Sequence, residues 1–549
     1  MSVPPPQLPH TEGLLDEPEA VAHVELGETE AVGAGVEAGS FGRALTALAT
    51  VSVLIAATYL VPGMTWAQPW RGDEDYVPFW NIVGRELMGQ GAKAKALDEE
   101  QKKFEALARD EGGHDEPVKD REVVAPPPEV DRWPQYEAHE DDAGPVEREL
   151  EGVEALETFY LALARTDLGY QGAMTRIGQW GDSVIGNDGI TSDMRVNMQR
   201  RFGDGGHGFH ALAQYDPSYK HSGVRFDEKG AQWSRCYIIR KCKSDGFYGY
   251  GGTTVWSAGG AESRFRTADD GPVGRKFSSF ELWYAAQPGG GRLQLRIDDR
   301  EPVVVDTSAE LYEDRWERFE LGDGPHEVRV RAVGGGQARA YGVVMERKAP
   351  GVTWDGMALI GSFTSRLLEQ DEEHWSRQLT HRDLDLVVFM FGGNDMGSGQ
   401  KKNLEPYAQT YRELIQRTRK AKPDAACLVM APIDHGAREG NRIVSKPIVA
   451  PMVEVQRKVA LEEGCAFFDT FSAMGGEGSM GRWYKAKPRL TSGDFSHPTR
   501  AGRRVLAGML YRALMKGYAD WRKAKAGTPM PKADDGGVER AKEAETPAR

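Results

Sequence analysis

The chain has 549 residues, which is too long for one ordinary domain and suits two domains with flanking tails. Its 69 Lys and Arg residues against 83 Asp and Glu residues give a formal charge of −14. This balance argues against sequence-independent binding to nucleic acid, which requires clustered positive charge.

Residues 1–150 are predicted to contain no large folded domain. Residues 1–42 have no Lys or Arg and many Glu and Pro residues, so they bury too little apolar surface to order themselves and are predicted to form a disordered acidic tail. Residues 43–66 contain the apolar run ALTALATVSVLIAATYLV. A bilayer core requires ~20 such residues in a helix, which predicts a transmembrane helix, and a buried core helix is the alternative. Residues 67–150 are mostly acidic and are predicted to form a linker.

Strand-like and helix-like segments alternate in two separate parts of the chain. In residues 151–213 the strand-like run Met174–Trp180 precedes a helix-like run at 191–202. In residues 351–522 the apolar runs LDLVVFMF, ACLVMAPI and CAFFDTF alternate with helix-like segments. This alternation predicts one α/β domain with a parallel, doubly wound sheet built from both parts. Residues 523–549 are charged and are predicted to form a disordered tail.

Residues 214–350 have a different pattern. Short alternating runs such as FELWYAA, RLQLRI and HEVRVRAV are separated by Gly-rich turns, which is typical of a β-sandwich or jelly roll. The segment is therefore predicted to be a β domain inserted after the first strand–helix unit of the α/β domain. Its Trp256, Trp283 and Tyr284 are expected in the core, and a sugar-stacking platform is the alternative.

Three polar motifs lie at the expected ligand-binding edge of the α/β sheet, beyond the carboxyl ends of its strands. They are GDS at 181–183, GGND at 392–395 and DFSH at 494–497. A serine at a strand-to-helix turn is exposed, and the helix N-terminus favours negative charge beside it. A histidine from another loop accepts its proton, and a carboxylate three residues earlier orients the imidazole. The motifs together predict nucleophilic catalysis.

These motifs resemble those of the SGNH/GDSL-type hydrolases, with the GDS of block I, the GxND of block III and the DxxHP of block V in family order. The stretch GDSVIGNDGITSDMRVNMQRRFGDGGHGF is most similar to cell-wall and exopolysaccharide O-acetylesterases that carry an inserted β-sandwich. The resemblance implies a flavodoxin-like doubly wound sheet, with Ser183 as nucleophile, His497 as general base and Asp494 as its orienting partner. It also implies an oxyanion hole formed by the Ser183 N–H, the Gly361 N–H and the Asn394 side chain.

The activity implied by this resemblance is that of a serine esterase. The enzyme would hydrolyse O-acyl esters, in particular O-acetyl esters, on a cell-envelope or extracellular carbohydrate through an acyl-enzyme, without a metal or other cofactor. A polysaccharide O-acetyltransferase with the same triad and a non-catalytic glycan-binding protein are the alternatives. We expect membrane anchoring through residues 43–66 and a catalytic part outside the cytoplasm, although the flanking charges leave the orientation open.

Several other polar residues allow more than one interpretation. Asp182 and Asp395 are expected to be structural hydrogen-bond acceptors rather than groups that tune the site. His435, after a strand-like run, either lines the substrate cleft or is an ordinary loop histidine. A second Asp-x-x-His pair, Asp371 and His374, falls in a helix-like run and is expected on an exposed helical face.

The four cysteines are too few for a disulfide scaffold. Cys236 and Cys242 are close enough in sequence to form a disulfide in an oxidising compartment. The alternative interpretation, that both are unpaired thiols, is equally compatible with the sequence. Cys427 and Cys465 lie in apolar strand-like runs and are expected to be small core residues.

Overall fold

The computed structural model describes residues 99–109, 116–120, 132–142 and 144–531, together with residue 97 and isolated positions between 46 and 62. The chain divides into two units, residues 1–95 and 96–549, and the fold and the site described below belong to the second. Within the described part of the chain, no helix combines the length and apolar character needed to cross a membrane. The predicted tail 1–42 and most of the predicted membrane segment 43–66 lie outside the described residues, so both remain predictions.

The second unit contains α-helices and short 3-10 helices. The α-helices, numbered in chain order, are α1 (Glu157–Asp167), α2 (Gly189–Phe202), α3 (Glu372–Arg382), α4 (Glu405–Ala421), α5 (Val449–Glu462), α6 (Thr470–Ala473), α7 (Ser479–Lys485) and α8 (Arg500–Lys525). The 3-10 helices are Glu140–Asp142, Val153–Leu156, Ser183–Asp188, Ile238–Arg240 and Thr364–Glu369.

The strands of the same unit fall into three groups: the α/β sheet, the two sheets of the insert and the antiparallel pair β16–β17. In chain order they are β1 (Met174–Gly181), β2 (Gly206–Ala211), β3 (Val224–Gly230), β4 (Ser234–Tyr237), β5 (Thr253–Ser257), β6 (Ala261–Thr267), β7 (Phe277–Ala286), β8 (Arg292–Ile297), β9 (Val303–Asp306), β10 (Glu313–Gly324), β11 (Glu327–Ala332), β12 (Ala338–Glu346), β13 (Gly351–Ala358), β14 (Leu386–Met390), β15 (Ala426–Met430), β16 (Gly436–Glu439), β17 (Arg442–Ser445) and β18 (Ala466–Phe468).

The α/β sheet is parallel and has the strand order β13-β1-β14-β15-β18. Counted along the chain, this is the order 2-1-3-4-5 of a flavodoxin-like doubly wound sheet. Both faces are covered. Leu386 and Val388 of β14 belong to a core shared with α1, α2 and α8, whereas Val387 and Phe389 belong to a core shared with α3, α4 and α5. Burial on both faces explains why these strands are continuous apolar runs rather than alternating ones. The predicted sheet is confirmed.

The insert consists of two antiparallel sheets that share an apolar core. One has the order β10-β7-β12-β5-β4, with β2 also paired to β12, and the other has the order β3-β6-β11-β8-β9. Residues 206–211, predicted above as part of the α/β domain, therefore belong to the insert as β2, in register with Gly342–Glu346. Pairing with a strand about 130 residues later leaves no local sequence signal.

Part of the predicted linker is packed against the α/β domain. Residues 101–109 are helical, and Phe104 is buried with its ring centroid 5.6 Å from that of Trp483. Trp133 is buried 5.4 Å from Trp521 of α8. The prediction of a continuous linker over 67–150 is wrong for these positions, because their aromatic side chains find apolar partners on distant elements.

The structure pairs all four cysteines. Cys236 bonds to Cys242, which resolves the two alternatives left open by the sequence. Cys427 bonds to Cys465, with Cα atoms 4.6 Å apart. Both residues are buried in the core, which confirms the expectation that they are small core residues, whereas the disulfide between them was not predicted. Cys427 lies in β15 and Cys465 directly precedes β18, and these neighbouring parallel strands bring together two residues that are 38 positions apart.

Candidate active site

Ser183 lies two residues after the end of β1, at the first position of a 3-10 helix. The preceding residue, Asp182, is the N-cap, and its Oδ1 accepts a 2.9 Å hydrogen bond from the Val184 N–H. The Gly181 carbonyl accepts a 2.8 Å bond from the Leu359 N–H, which ties this turn to the end of β13. Ser183 is half-buried, so its hydroxyl stands at the carboxyl edge of the sheet on a turn held from both sides.

His497 and Asp494 approach this serine from the loop before α8. The Ser183 Oγ is 2.8 Å from His497 Nε2, and His497 Nδ1 is 2.6 Å from Asp494 Oδ2. The three predicted triad residues therefore form one hydrogen-bonded chain. This geometry suits a hydroxyl that passes its proton to an imidazole whose far nitrogen is held by a carboxylate.

Asp494 is held by a dense set of donors. Its Oδ1 accepts bonds from the Ser492 hydroxyl at 2.6 Å, the Ser496 N–H at 3.0 Å and the His497 N–H at 3.1 Å. Partial burial raises the pKa of this carboxyl, but the bonds from Ser492, His497 and Ser496 outweigh burial and hold the pKa well below its ordinary value. Phe495 adopts a φ of 55°, which lets the loop fold around the carboxylate. The sequence did not single out Ser492, because a serine two residues before an aspartate carries no distinctive signal.

The GGND loop after β14 lies beside the turn of Ser183 and beside the loop that carries Gly361 and Ser362. The Gly393 N–H donates a 3.2 Å bond to Asp182 Oδ2, and the Asn394 Nδ2 donates a 2.9 Å bond to the Ser362 carbonyl. Gly361 occupies a turn closed by a 2.9 Å bond from the Ser362 N–H to the Leu359 carbonyl, with a φ of 79°. The predicted oxyanion groups of Ser183, Gly361 and Asn394 thus lie on three adjoining loops at the same sheet edge. An amide nitrogen has two hydrogens, so the bond to Ser362 orients Asn394 and leaves one hydrogen for a ligand.

Asp182 and Asp395 both act as hydrogen-bond acceptors that fix loops, as expected. Asp395 Oδ2 accepts 3.0 Å bonds from the Thr364 N–H and from the Thr364 hydroxyl. Burial raises the pKa of Asp182 to about 6 and also raises the pKa of Asp395, although their backbone donors oppose this effect. Their geometry is that of structural braces rather than of groups open to a substrate.

His435 lies behind the site, on the loop after β15. It is only 6 % exposed, and burial lowers its pKa to about 3, so the ring is neutral. A Cβ atom at Gly393 would lie 3.2 Å from Cε1 and 3.3 Å from Nε2 of this ring. The next N–H, that of Gly436, donates a 2.8 Å bond to the Phe495 carbonyl. His435 therefore fills the space between the GGND loop and the loop of Asp494.

Asp371 and His374 do not form the exposed pair that the sequence predicted. Asp371 caps α3 by accepting a 2.9 Å bond from the His374 N–H. The His374 ring is fully buried, with Nδ1 2.9 Å from Asp314 and Nε2 accepting a 2.8 Å bond from the Gly249 N–H. The prediction failed because β10 and the Gly249 loop of the insert cover this face of the helix.

The aromatic residues singled out in the insert are not a free platform. Tyr284 is buried in the core of the insert, and Trp283 is buried in the core that the insert shares with the α/β domain. Trp256 is half-buried, with the Lys243 ammonium 3.6 Å from its ring centre. Among the described residues, no group of three or more His, Cys, Asp or Glu side chains is arranged to hold a metal ion.

Comparison with known proteins gives a family match in the C-terminal part of the chain. A model of the GDSL-like Lipase/Acylhydrolase family matches residues 324–505. This range contains Asn394, Asp494 and His497, whereas Ser183 lies before it, on the other side of the insert. No curated protein matches the chain.

Solved structures that match part of this chain were also found. A structure of a peptidoglycan O-acetylesterase matches with 20 % identity and a TM-score of 0.55, covering 66 % of this chain and 96 % of that one. A family two carbohydrate esterase from Cellvibrio japonicus matches with 11 % identity and a TM-score of 0.22, over 57 % of this chain and 98 % of that one. A lipase/acylhydrolase from Enterococcus faecalis matches with 17 % identity and a TM-score of 0.23, over 30 % and 76 %. The first of these matches establishes a shared fold.

Proposed function

We propose that this chain, a hydrolase of the SGNH/GDSL type that acts on ester bonds, removes O-acyl groups, in particular O-acetyl groups, from a carbohydrate polymer. The observation that carries the proposal is the hydrogen-bonded chain from Ser183 through His497 to Asp494 at the carboxyl edge of the sheet. A carbohydrate ester is favoured as substrate because the fold is shared with a peptidoglycan O-acetylesterase.

The proposed reaction has two halves. His497 Nε2 takes the hydroxyl proton as the Ser183 Oγ attacks the ester carbonyl, and the same proton then goes to the departing sugar hydroxyl. The acyl group remains on Ser183. Water enters, loses a proton to His497 and attacks the acyl-enzyme, which releases the carboxylic acid and restores the serine. Asp494 holds the imidazole in the required tautomer and stabilises its positive charge in both halves.

The negative charge on the carbonyl oxygen needs donors in both halves. We assign this task to the N–H groups of Ser183 and Gly361 and to the free amide hydrogen of Asn394. Loss of one such donor costs about 10²- to 10³-fold in kcat in comparable sites. The bond from Asn394 to Ser362 supports this assignment, because it fixes the amide before the substrate binds.

A location outside the cytoplasm is part of the proposal. Disulfides persist in oxidising compartments and are rare in the cytosol, and this chain pairs Cys236 with Cys242 and Cys427 with Cys465. Anchoring through the apolar segment 43–66 is compatible with such a location.

The test is acyl release by the purified full-length protein. The released carboxylic acid is measured after incubation with acetylated xylan, with O-acetylated peptidoglycan and with ethyl esters of increasing acyl length. Ser183→Ala is expected to abolish release, whereas Ser308→Ala, an exposed serine of the insert, is expected to retain wild-type rates. Undiminished release by Ser183→Ala would refute the proposed nucleophile.

Product identity separates the remaining candidates. Free acetate in water supports hydrolysis, and acetylated glycan formed when an acceptor is supplied would indicate a transferase. Binding of glycan without any acyl release by the wild-type protein would indicate a non-catalytic glycan-binding protein.

A further inference from the structure

Phe363 stands out from the other aromatic residues of the described chain because its surface is open to solvent. It is 42 % exposed, and the other large hydrophobic residues exposed in the described part of the chain are aliphatic: Val53, Leu60, Val61, Val303, Val304 and Leu311. A single exposed apolar residue is unremarkable by itself. Whether the exposure of Phe363 indicates a role in binding therefore depends on where the residue lies in the fold.

Phe363 lies on the loop that carries the predicted oxyanion donor Gly361. The backbone on both sides of it is held by the GGND loop. The Ser362 carbonyl accepts the 2.9 Å bond from Asn394, and the Thr364 N–H and hydroxyl each donate a 3.0 Å bond to Asp395. The aromatic ring is thus carried by a fixed segment that adjoins the catalytic groups, so little conformational freedom is lost when a ligand packs on it.

Arg366 adds to this surface. Its guanidinium carbon lies 5.9 Å from the centre of the Phe363 ring, within the range of a cation–π contact. Both residues belong to the turn that begins the 3-10 helix Thr364–Glu369. The pair presents an apolar ring next to hydrogen-bond donors, a combination that suits a sugar with one apolar face and polar hydroxyl edges.

None of the aromatic residues singled out in the insert offers a ring on which a sugar could stack. Trp283 and Tyr284 are buried, and Lys243 lies over the ring of half-buried Trp256. Of these aromatic residues, only Phe363, on the α/β domain, has a ring that is open to solvent.

We infer that Phe363 is a specificity-determining residue on which the acylated sugar ring stacks while its ester lies at Ser183. The face of an aromatic ring is electrostatically negative, and the C–H bonds on one face of a pyranose present positive hydrogens to it. This inference rests on the proposed function, because it names the part of the site that selects a carbohydrate ester over a simple one.

The test compares two substrates and three variants in the full-length protein. An acetylated glycan reports on stacking, and ethyl acetate, whose alcohol is too small to cover the ring, reports on the chemistry. Phe363→Ala is expected to raise KM for the glycan about tenfold, with kcat changed by less than about twofold and with ethyl acetate hydrolysis unchanged. Phe363→Trp is expected to restore KM. Leu311→Ala, which removes an exposed apolar side chain of the insert, is the control and is expected to match the wild type.

Other results overturn the inference in recognisable ways. Equal losses on glycan and ethyl acetate would mean that Phe363 supports the site structurally. A loss that grows with the acyl length of ethyl esters would mean that the ring contacts the acyl chain. Wild-type behaviour of Phe363→Ala on a glycan that the enzyme deacetylates would refute the inference alone. Hydrolysis of ethyl acetate without release from any glycan would refute the proposed carbohydrate substrate, and the inference with it.

Discussion

The backbone N–H of Gly393 donates a 3.2 Å hydrogen bond to Oδ2 of Asp182, the residue that precedes Ser183. This bond joins the loop of Ser183 to the loop that carries Asn394. Because Asp182 also caps the turn of Ser183 through the Val184 N–H, one buried carboxylate sets the position of both loops. The site is therefore built from loops that are far apart in sequence and are braced against one another.

Gly393→Ala is expected to damage this brace. Its new Cβ would lie 3.0 Å from Asp182 Oδ2 and 3.2 Å from the His435 ring, and both neighbours are buried, so one of them must shift. Overpacking of this kind costs about 1–3 kcal/mol, and we expect at least a tenfold fall in kcat/KM together with a lower Tm. Gly493→Ala is the control, since no atom lies within 4 Å of its Cβ position. Unchanged kinetics in Gly393→Ala would contradict the tight contact.

Asp494→Asn is expected to lower kcat by about 10²- to 10⁴-fold with a small effect on KM, because an amide favours the wrong imidazole tautomer. The pKa of Asp494 is held well below its ordinary value, so its carboxylate remains charged through mildly acidic pH. The loss in kcat should therefore be constant across the plateau of the two pH–rate profiles, where the base is unprotonated in both proteins. Steady-state kinetics provide the measurement, and a wild-type kcat for Asp494→Asn on this plateau would argue against the orienting role of Asp494.

The two disulfides are expected to contribute unequally to stability. In the loop-entropy model, the crosslink between Cys427 and Cys465, 38 residues apart, is worth about 4 kcal/mol, whereas that between Cys236 and Cys242, six apart, is worth about 2 kcal/mol. Urea unfolding of the two Cys-to-Ala double variants measures the difference. Thiol titration of the unreduced, denatured protein should detect no free thiol, and four reactive thiols would show that neither bridge forms.

Acid is expected to destabilise the fold through buried histidines. Burial lowers the pKa of both His207 and His210 to about 4, against an ordinary value of 6.5. The unfolded chain binds these protons at higher pH than the folded chain, so the free energy of unfolding should fall as the pH drops from about 6.5 to about 4. Each histidine contributes about 3 kcal/mol to this loss.

His207→Gln tests this expectation, because it removes one titrating ring while keeping a donor for the Gly274 carbonyl. The pH dependence of unfolding should become shallower in this variant, whatever its absolute stability. Equal slopes in wild type and His207→Gln would show that His207 does not titrate on unfolding.

The parts of this protein that depend on short stretches of chain are predictable from sequence. Apolar runs such as LVVFM and ACLVM are strands because both faces of a parallel sheet are covered, and their alternation with helices predicts the doubly wound order. The motifs with Ser183, Asn394 and Asp494 follow such strands or precede a helix, and the carboxyl ends of parallel strands share one edge. Their meeting at that edge was predictable without knowing any distance.

Contacts between residues that are far apart in sequence could be known only from the tertiary structure. Strand β2 joins the insert, Cys427 reaches Cys465, and His374 is covered by Asp314, although nothing near these residues in sequence indicates their partners. Exposure is equally non-local, because the structure buries Trp283 and leaves Phe363 open according to what packs against each. The sequence by itself determined which polar motifs meet at the sheet edge, since parallel strands share that edge, and the tertiary structure alone decided which surfaces remain open to solvent, since exposure depends on what packs against each residue.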